Sequence, residues 1–110
     1  MTAMETDKRY LLRALGVGEG ILASMLEVTV ERLARWPSSP SPKLDGQVPA
    51  LATLVRALQA GGVDGRLLLN ALGEPAYGKE GDASLLYYAV NEPSNPNLVA
   101  MAVKVAEGFK

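Results

Sequence analysis

The sequence predicts an all-α protein, a small helical bundle with a helical C-terminal extension. Three observations predict it. Apolar residues recur at three- and four-residue steps between clear breaks, as on one face of a helix. Those breaks are glycine and proline clusters placed where helices stop: Gly16-Val17-Gly18, Pro37 to Pro42, Gly61-Gly62, Gly73-Glu74-Pro75 and Asn91 to Pro96. Apolar residues make up 48% of the 110 residues and aromatic ones only 5%, so the core must be built from Leu, Val, Ala and Met. A chain of this length suits one small domain, or one with an appendage.

The first helix is expected from about Thr2 to Leu15. Thr2 and Glu5 have the spacing of a capping box, Met4, Leu11, Leu12 and Leu15 form its apolar set, and Gly16 suits a left-handed cap. A second is expected from Gly18 to Leu26, with Ile21, Leu22, Met25 and Leu26 on one face. A short third helix runs from Val30 to Arg35 behind Thr29 as N-cap. The fourth is expected from Pro49, well suited to a first turn, to Ala60, with Pro37 to Pro42 before it read as a linker or a rigid wing. The fifth follows Asp64 and carries Leu67, Leu68, Ala71 and Leu72. Beyond residue 82 two readings compete. Asp82 and Asn95-Pro96 fit the starts of two helices, whereas alternating Val99, Met101, Val103 and Val105 fit a strand. Ala and Met favour helix. The expected division of the chain is into residues 1–62 and a helical extension, 63–110.

Composition excludes several chemistries. There is no Cys, hence no disulfide, thiolate nucleophile or Cys-based zinc site, and no His, the commonest general base and transition-metal ligand. Enzymatic activity is not expected, nor a cofactor or metal. Gly16 to Gly20 lacks the preceding strand and following Lys-Ser or Lys-Thr of a phosphate loop. Glu74, Glu80, Asp82 and Glu92 lack calcium-loop spacing. The polar, mixed-charge start is unlike a signal peptide, and no apolar run approaches the ~20 residues of a membrane span. A cytoplasmic protein with no membrane partner is the expectation.

One stretch carries more information. Residues Glu19 to Trp36 follow the geometric logic of two helices crossing steeply. Ala23 is small where the second helix must pack close, Leu22, Leu26, Val28, Leu33 and Trp36 are apolar at the inward positions, and Thr29 caps the second helix. The order Leu22-Ala23, Leu26-Glu27-Val28-Thr29, Leu33-Ala34-Arg35-Trp36 resembles the phage-repressor-like (Xre-type) helix-turn-helix family. The match covers about 18 residues directly and, with a flanking helix on each side, extends from Met4 to Ala60. It departs at Glu27, where the family's turn usually carries Gly at a positive φ. The resemblance implies a DNA-binding transcriptional regulator of repressor type, its members including phage regulators and antitoxins. It implies that the helix at 29–35 enters the major groove of double-stranded DNA, with Thr29, Val30, Glu31, Arg32 and Arg35 as contact residues, and that the protein acts as a homodimer.

Charge supports this only weakly. Residues 1–60 carry seven basic and six acidic residues, the remainder four and six. Two copies are needed for useful affinity at cellular salt. The competing expectation is a helical protein–protein adaptor that does not bind DNA, favoured by near-neutral charge and by apolar Val30 and Ala34 on the supposed reading face. Trp36 is expected to plug the core, Lys8-Arg9 to be solvated, and Tyr77, Tyr87 and Tyr88 to lie either in the core or on a partner surface. The apolar excess after Asp82 points to self-association or a protein partner there.

Overall fold

The computed structural model describes residues 2–79 and 81–109, and among them the chain is all-helical. The elements are α1 (Ala3–Leu15), α2 (Glu19–Met25), α3 (Val30–Arg35), α4 (Pro42–Ala60), a 3-10 turn (Gly65–Leu67), α5 (Leu68–Leu72), α6 (Leu85–Asn91) and α7 (Leu98–Glu107). The caps of α1 and the N-cap of α3 are those the sequence predicts. Thr2 Oγ1 accepts from the Glu5 N–H at 3.2 Å, and Gly16 closes α1 in the left-handed region at φ 66°.

The fourth helix departs from expectation, since it begins at Pro42, not Pro49, and so takes the end of the proline-rich stretch into its first turn. Ser41, buried, accepts the Leu44 N–H at 3.3 Å and satisfies an otherwise orphaned donor. Pro42 then sits where its missing N–H costs nothing. Pro49 lies inside the helix and withholds the N–H that would reach the Asp45 carbonyl, a defect worth about 3 kcal/mol in an exposed helix. The helix continues through it because Leu44, Val48, Leu51, Leu54, Val55 and Leu58 are all fully buried.

Helix α4 is the common wall of the molecule. It packs against α1 on one side and against α6 and α7 on the other, and the buried side chains of residues 1–62 and 63–110 join one cluster around it. Gln47 is wholly buried in that wall and donates through Nε2 to the Val90 carbonyl at 3.1 Å, which ties α4 to the end of α6. At the other end α4 closes on α7 so tightly that a Cβ at Gly61 would lie 2.6 Å from the Ala106 Cβ.

The C-terminal region is helical, which excludes the strand reading, though both caps differ from those expected. Ser84, not Asp82, caps α6, accepting the Tyr87 N–H at 3.1 Å. The Asp82 carboxylate instead accepts the Tyr77 and Ala83 N–H groups at 2.8 and 2.9 Å and folds the 74–84 loop back on itself. Asn97, not Asn95, precedes α7; the Asn95 side chain accepts the Asn97 N–H at 2.8 Å one turn earlier. Two residues expected to face inward do not: Ile21 is 56% and Leu67 36% exposed. No helix among the described residues is long and apolar enough to cross a membrane.

The Gly61–Ala106 approach makes a direct prediction. Gly61→Ala should destabilise the fold by about 1–3 kcal/mol through overpacking. Ala106→Gly in the same chain should recover part of that loss, giving a positive coupling in a urea-denaturation double-mutant cycle.

Candidate nucleic-acid interface

Helices α2 and α3 are seven and six residues long, too short to persist alone, so their geometry is imposed by what they bury. Leu22, Leu26 and Leu33 are fully buried and Ala23 nearly so, with Val28 half-buried. Between the helices the chain reverses through Glu27, whose φ of 60° is the left-handed conformation expected at the position where the resembled family places Gly. For a side chain with a Cβ that conformation costs roughly 1–2 kcal/mol. The turn is held by Glu27 N–H to the Ser24 carbonyl at 3.2 Å and Val28 N–H to the Ala23 carbonyl at 3.0 Å. From α4, the Lys43 ammonium donates to the Glu27 carbonyl at 3.0 Å. Thr29 then starts α3, its hydroxyl accepting the Arg32 N–H at 3.2 Å.

The far end of α3 is anchored by two side-chain contacts that the sequence does not announce. Lys8 of α1 is not a solvated terminus. Its ammonium donates to the Leu33 and Trp36 carbonyls at 2.9 and 3.1 Å, which satisfies the orphan acceptors at the end of α3 and places a cation at its negative pole. Glu19 lies 3.9 Å from the same ammonium. Trp36 is the expected core plug, 1% exposed, and its indole N–H donates to the Asp45 carboxylate at 2.8 Å. No short sequence pattern flags either contact, because the partners lie 25 or more residues apart for Lys8 and across the proline-rich stretch for Asp45.

All five predicted contact residues, Thr29, Val30, Glu31, Arg32 and Arg35, are exposed and share one face with Ala34. At about 100° per residue the order around α3 is Val30, Ala34, Glu31, Arg35, Arg32, with Leu33 opposite. Apolar groups therefore occupy one edge and cations the other. Beside the cationic edge, a hollow of about 270 Å³ is lined by Thr29, Glu31, Arg32, Arg35, Ser39 and Pro40. Neither Arg32 nor Arg35 forms an ion pair among the described residues. Ser39 and Pro40 were outside the expected site; they join it because the chain leaves the helix at Trp36, whose backbone is extended, and the Ser39 N–H bonds to the Arg35 carbonyl at 2.9 Å, closing a turn beside the end of α3.

A second, larger hollow of about 470 Å³ lies between the 74–84 loop and α7, reaching from Glu74 to Phe109. Lys104 spans its edge and donates to the Tyr77 carbonyl at 3.3 Å. The tyrosines are a surface cluster in part: Tyr88 is half-buried and takes the edge-to-face contacts of Tyr77 and Tyr87, which are 42% and 47% exposed. Burial raises the Tyr88 hydroxyl above its usual pKa, with Asp82 adding to the shift. Of the scattered acids, Glu80 lies outside the described residues, and among the described residues no acidic group gathers as a metal site. Compared with protein-family models, with curated proteins and with solved structures, the chain matches none.

The strained turn supplies a test. Glu27→Gly should stabilise the protein by about 1 kcal/mol, read as a higher urea midpoint at unchanged slope, because glycine adopts the left-handed conformation without the Cβ clash.

Proposed function

We propose that this protein is a DNA-binding transcriptional regulator of repressor type, acting in the cytoplasm, that reads the major groove with α3. The observation that carries the proposal is the pairing of a firmly held short helix with an unneutralised cationic edge: α3 is fixed by Thr29, Lys8 and Trp36, and beside it Arg32 and Arg35 line an open polar hollow. Arg35, near the centre of the outer face, is assigned to a base edge or inner phosphate, and Arg32, at its margin, to a flanking phosphate. Two copies would set their α3 helices in successive major grooves, about 34 Å apart, and occlude polymerase. A phage regulator and an antitoxin both fit this role.

Self-association is assigned to residues 63–110, where Tyr87, Val99 and Val103 expose apolar side chains. A protein partner there is the alternative use of the same surface. The second functional reading, an adaptor without DNA, draws on Ile21, 56% exposed on α2 beside the reading helix. Titration of labelled random DNA across a salt series separates the two, since a DNA binder shows weak binding that falls steeply with salt.

Within the DNA reading, Arg35→Ala should cost about 1–3 kcal/mol of affinity for a selected operator, and Arg32→Ala should flatten the salt dependence by about one unit of slope. Both should leave the melting temperature nearly unchanged because both side chains are exposed. Leu33→Ala, from a fully buried position, should cost about 2–5 kcal/mol of stability instead. Arginine variants that bind as tightly as the parent would shift the assignment to the adaptor.

Removing residues 82–110 is a poor probe of assembly, since it strips α6 and α7 from α4 and exposes the core. Val99→Glu with Val103→Glu leaves the core intact. Light scattering should then show a monomer where the parent is a dimer, with DNA affinity falling in parallel.

A further inference from the structure

We infer that Val30 reads the C5-methyl group of a thymine in the operator half-site, which makes it a specificity-determining residue. The inference rests on the DNA-binding reading above and deepens it. Val30 is the first residue of α3 and is 42% exposed, the one large apolar side chain of that helix that is exposed to water. Its backbone is fixed by the Thr29 cap, and a β-branched side chain in a helix holds essentially one χ1 rotamer. The isopropyl group is thus held stiffly at the entering end of the helix. Around the helix its neighbour on the exposed face is Ala34, too short to cover it.

The chemistry of the groove then selects the partner. Every base pair shows hydrogen-bond donors and acceptors in the major groove, and the one apolar group displayed there is the thymine methyl. A valine can satisfy none of the donors or acceptors and has no attraction for phosphate. Next around the face comes Glu31, which repels phosphate and can accept only from a donor such as the cytosine amino group. The Val30 edge of α3 is therefore unsuited to the backbone and suited to base edges; Glu31 stands between it and the Arg32, Arg35 and Ser39 edge, whose hollow it also lines and whose cations suit phosphate. An apolar residue that counts against DNA binding on charge alone becomes a base-reading element once its position is known.

The test uses the full-length protein and an operator selected from a random duplex pool. Each thymine is replaced in turn by deoxyuridine, which swaps the methyl for a hydrogen and leaves the pairing edge unchanged. At one position per half-site the parent should bind about fourfold more weakly, the worth of one buried methyl-sized group. Val30→Ala should abolish that sensitivity at the same position and keep the sensitivity to every other substitution, with an unchanged melting temperature. A parent that binds its operator tightly and is indifferent to deoxyuridine at every position overturns the assignment and leaves the DNA reading standing. A Val30→Ala protein as sensitive as the parent also overturns it, because another side chain then reads the methyl. Failure to select any duplex, even at low salt, removes the DNA reading and this assignment together.

Discussion

Everything in this molecule depends on α4 being buried on more than one side. A helix that packs against a single neighbour buries one stripe; α4 has α1 on one flank and α6 and α7 on the other. Each fully buried Leu or Val is worth about 1.5–3 kcal/mol relative to exposure. With six such side chains the helix outweighs an internal proline that would end it in isolation. Its ends also set the positions of other parts: Ser41 and Asp45 at the start fix the loop after α3, and Gly61 at the finish admits α7.

Helix α3 inherits its orientation from this arrangement. Six residues of helix cannot hold a direction by their own hydrogen bonds. Leu33 fixes the face turned inward, Asp45 of α4 holds Trp36, and Lys8 of α1 holds the terminal carbonyls. The exposed side chains can then be polar, apolar or charged without changing the fold. That freedom leaves Val30, Glu31 and Arg35 without a structural duty inside the chain. Tyr10 and Arg56 brace α1 on α4 further along: the guanidinium lies over the ring at 4.5 Å and pairs with Asp7 at 2.8 Å.

The α2–turn–α3 unit was legible because its determinants are local. Ala23, the cap at Thr29 and the inward Leu22, Leu26 and Leu33 lie within a few turns of one another, and α3 has the bounds the sequence predicts. Even the left-handed Glu27 was readable, since the turn demands that conformation whatever residue occupies it. The start of α4 was not legible. Proline marks both the beginning and the interruption of helices, and only the burial of Leu44 and Val48 decides between Pro42 and Pro49. Asp82 and Ser84 both have capping chemistry two residues apart; Asp82 was diverted by the Tyr77 and Ala83 amides, a loop contact with no periodic signal. Ile21 has the spacing of an inward residue, yet α2 is short and its buried stripe narrow, so Ile21 falls outside it. The exposed side chains of α3 were legible as a set, whereas the place of Ser39 beside them needed the path of the chain after Arg35.

The shared wall has a consequence for how the chain can be divided. The link from α4 to α5 passes through Gly62, Asp64 and Gly65, all exposed, so it is open to a protease or to a designed break. A cut there severs one covalent strand and none of the contacts between α4 and α6 or α7. The first piece would carry a large apolar face made to fit the second, and the second is too small to bury its own. Two such fragments have matched surfaces and no better partner than each other, which is the physical requirement for complementation: brought together, they would rebuild the fold as a non-covalent pair.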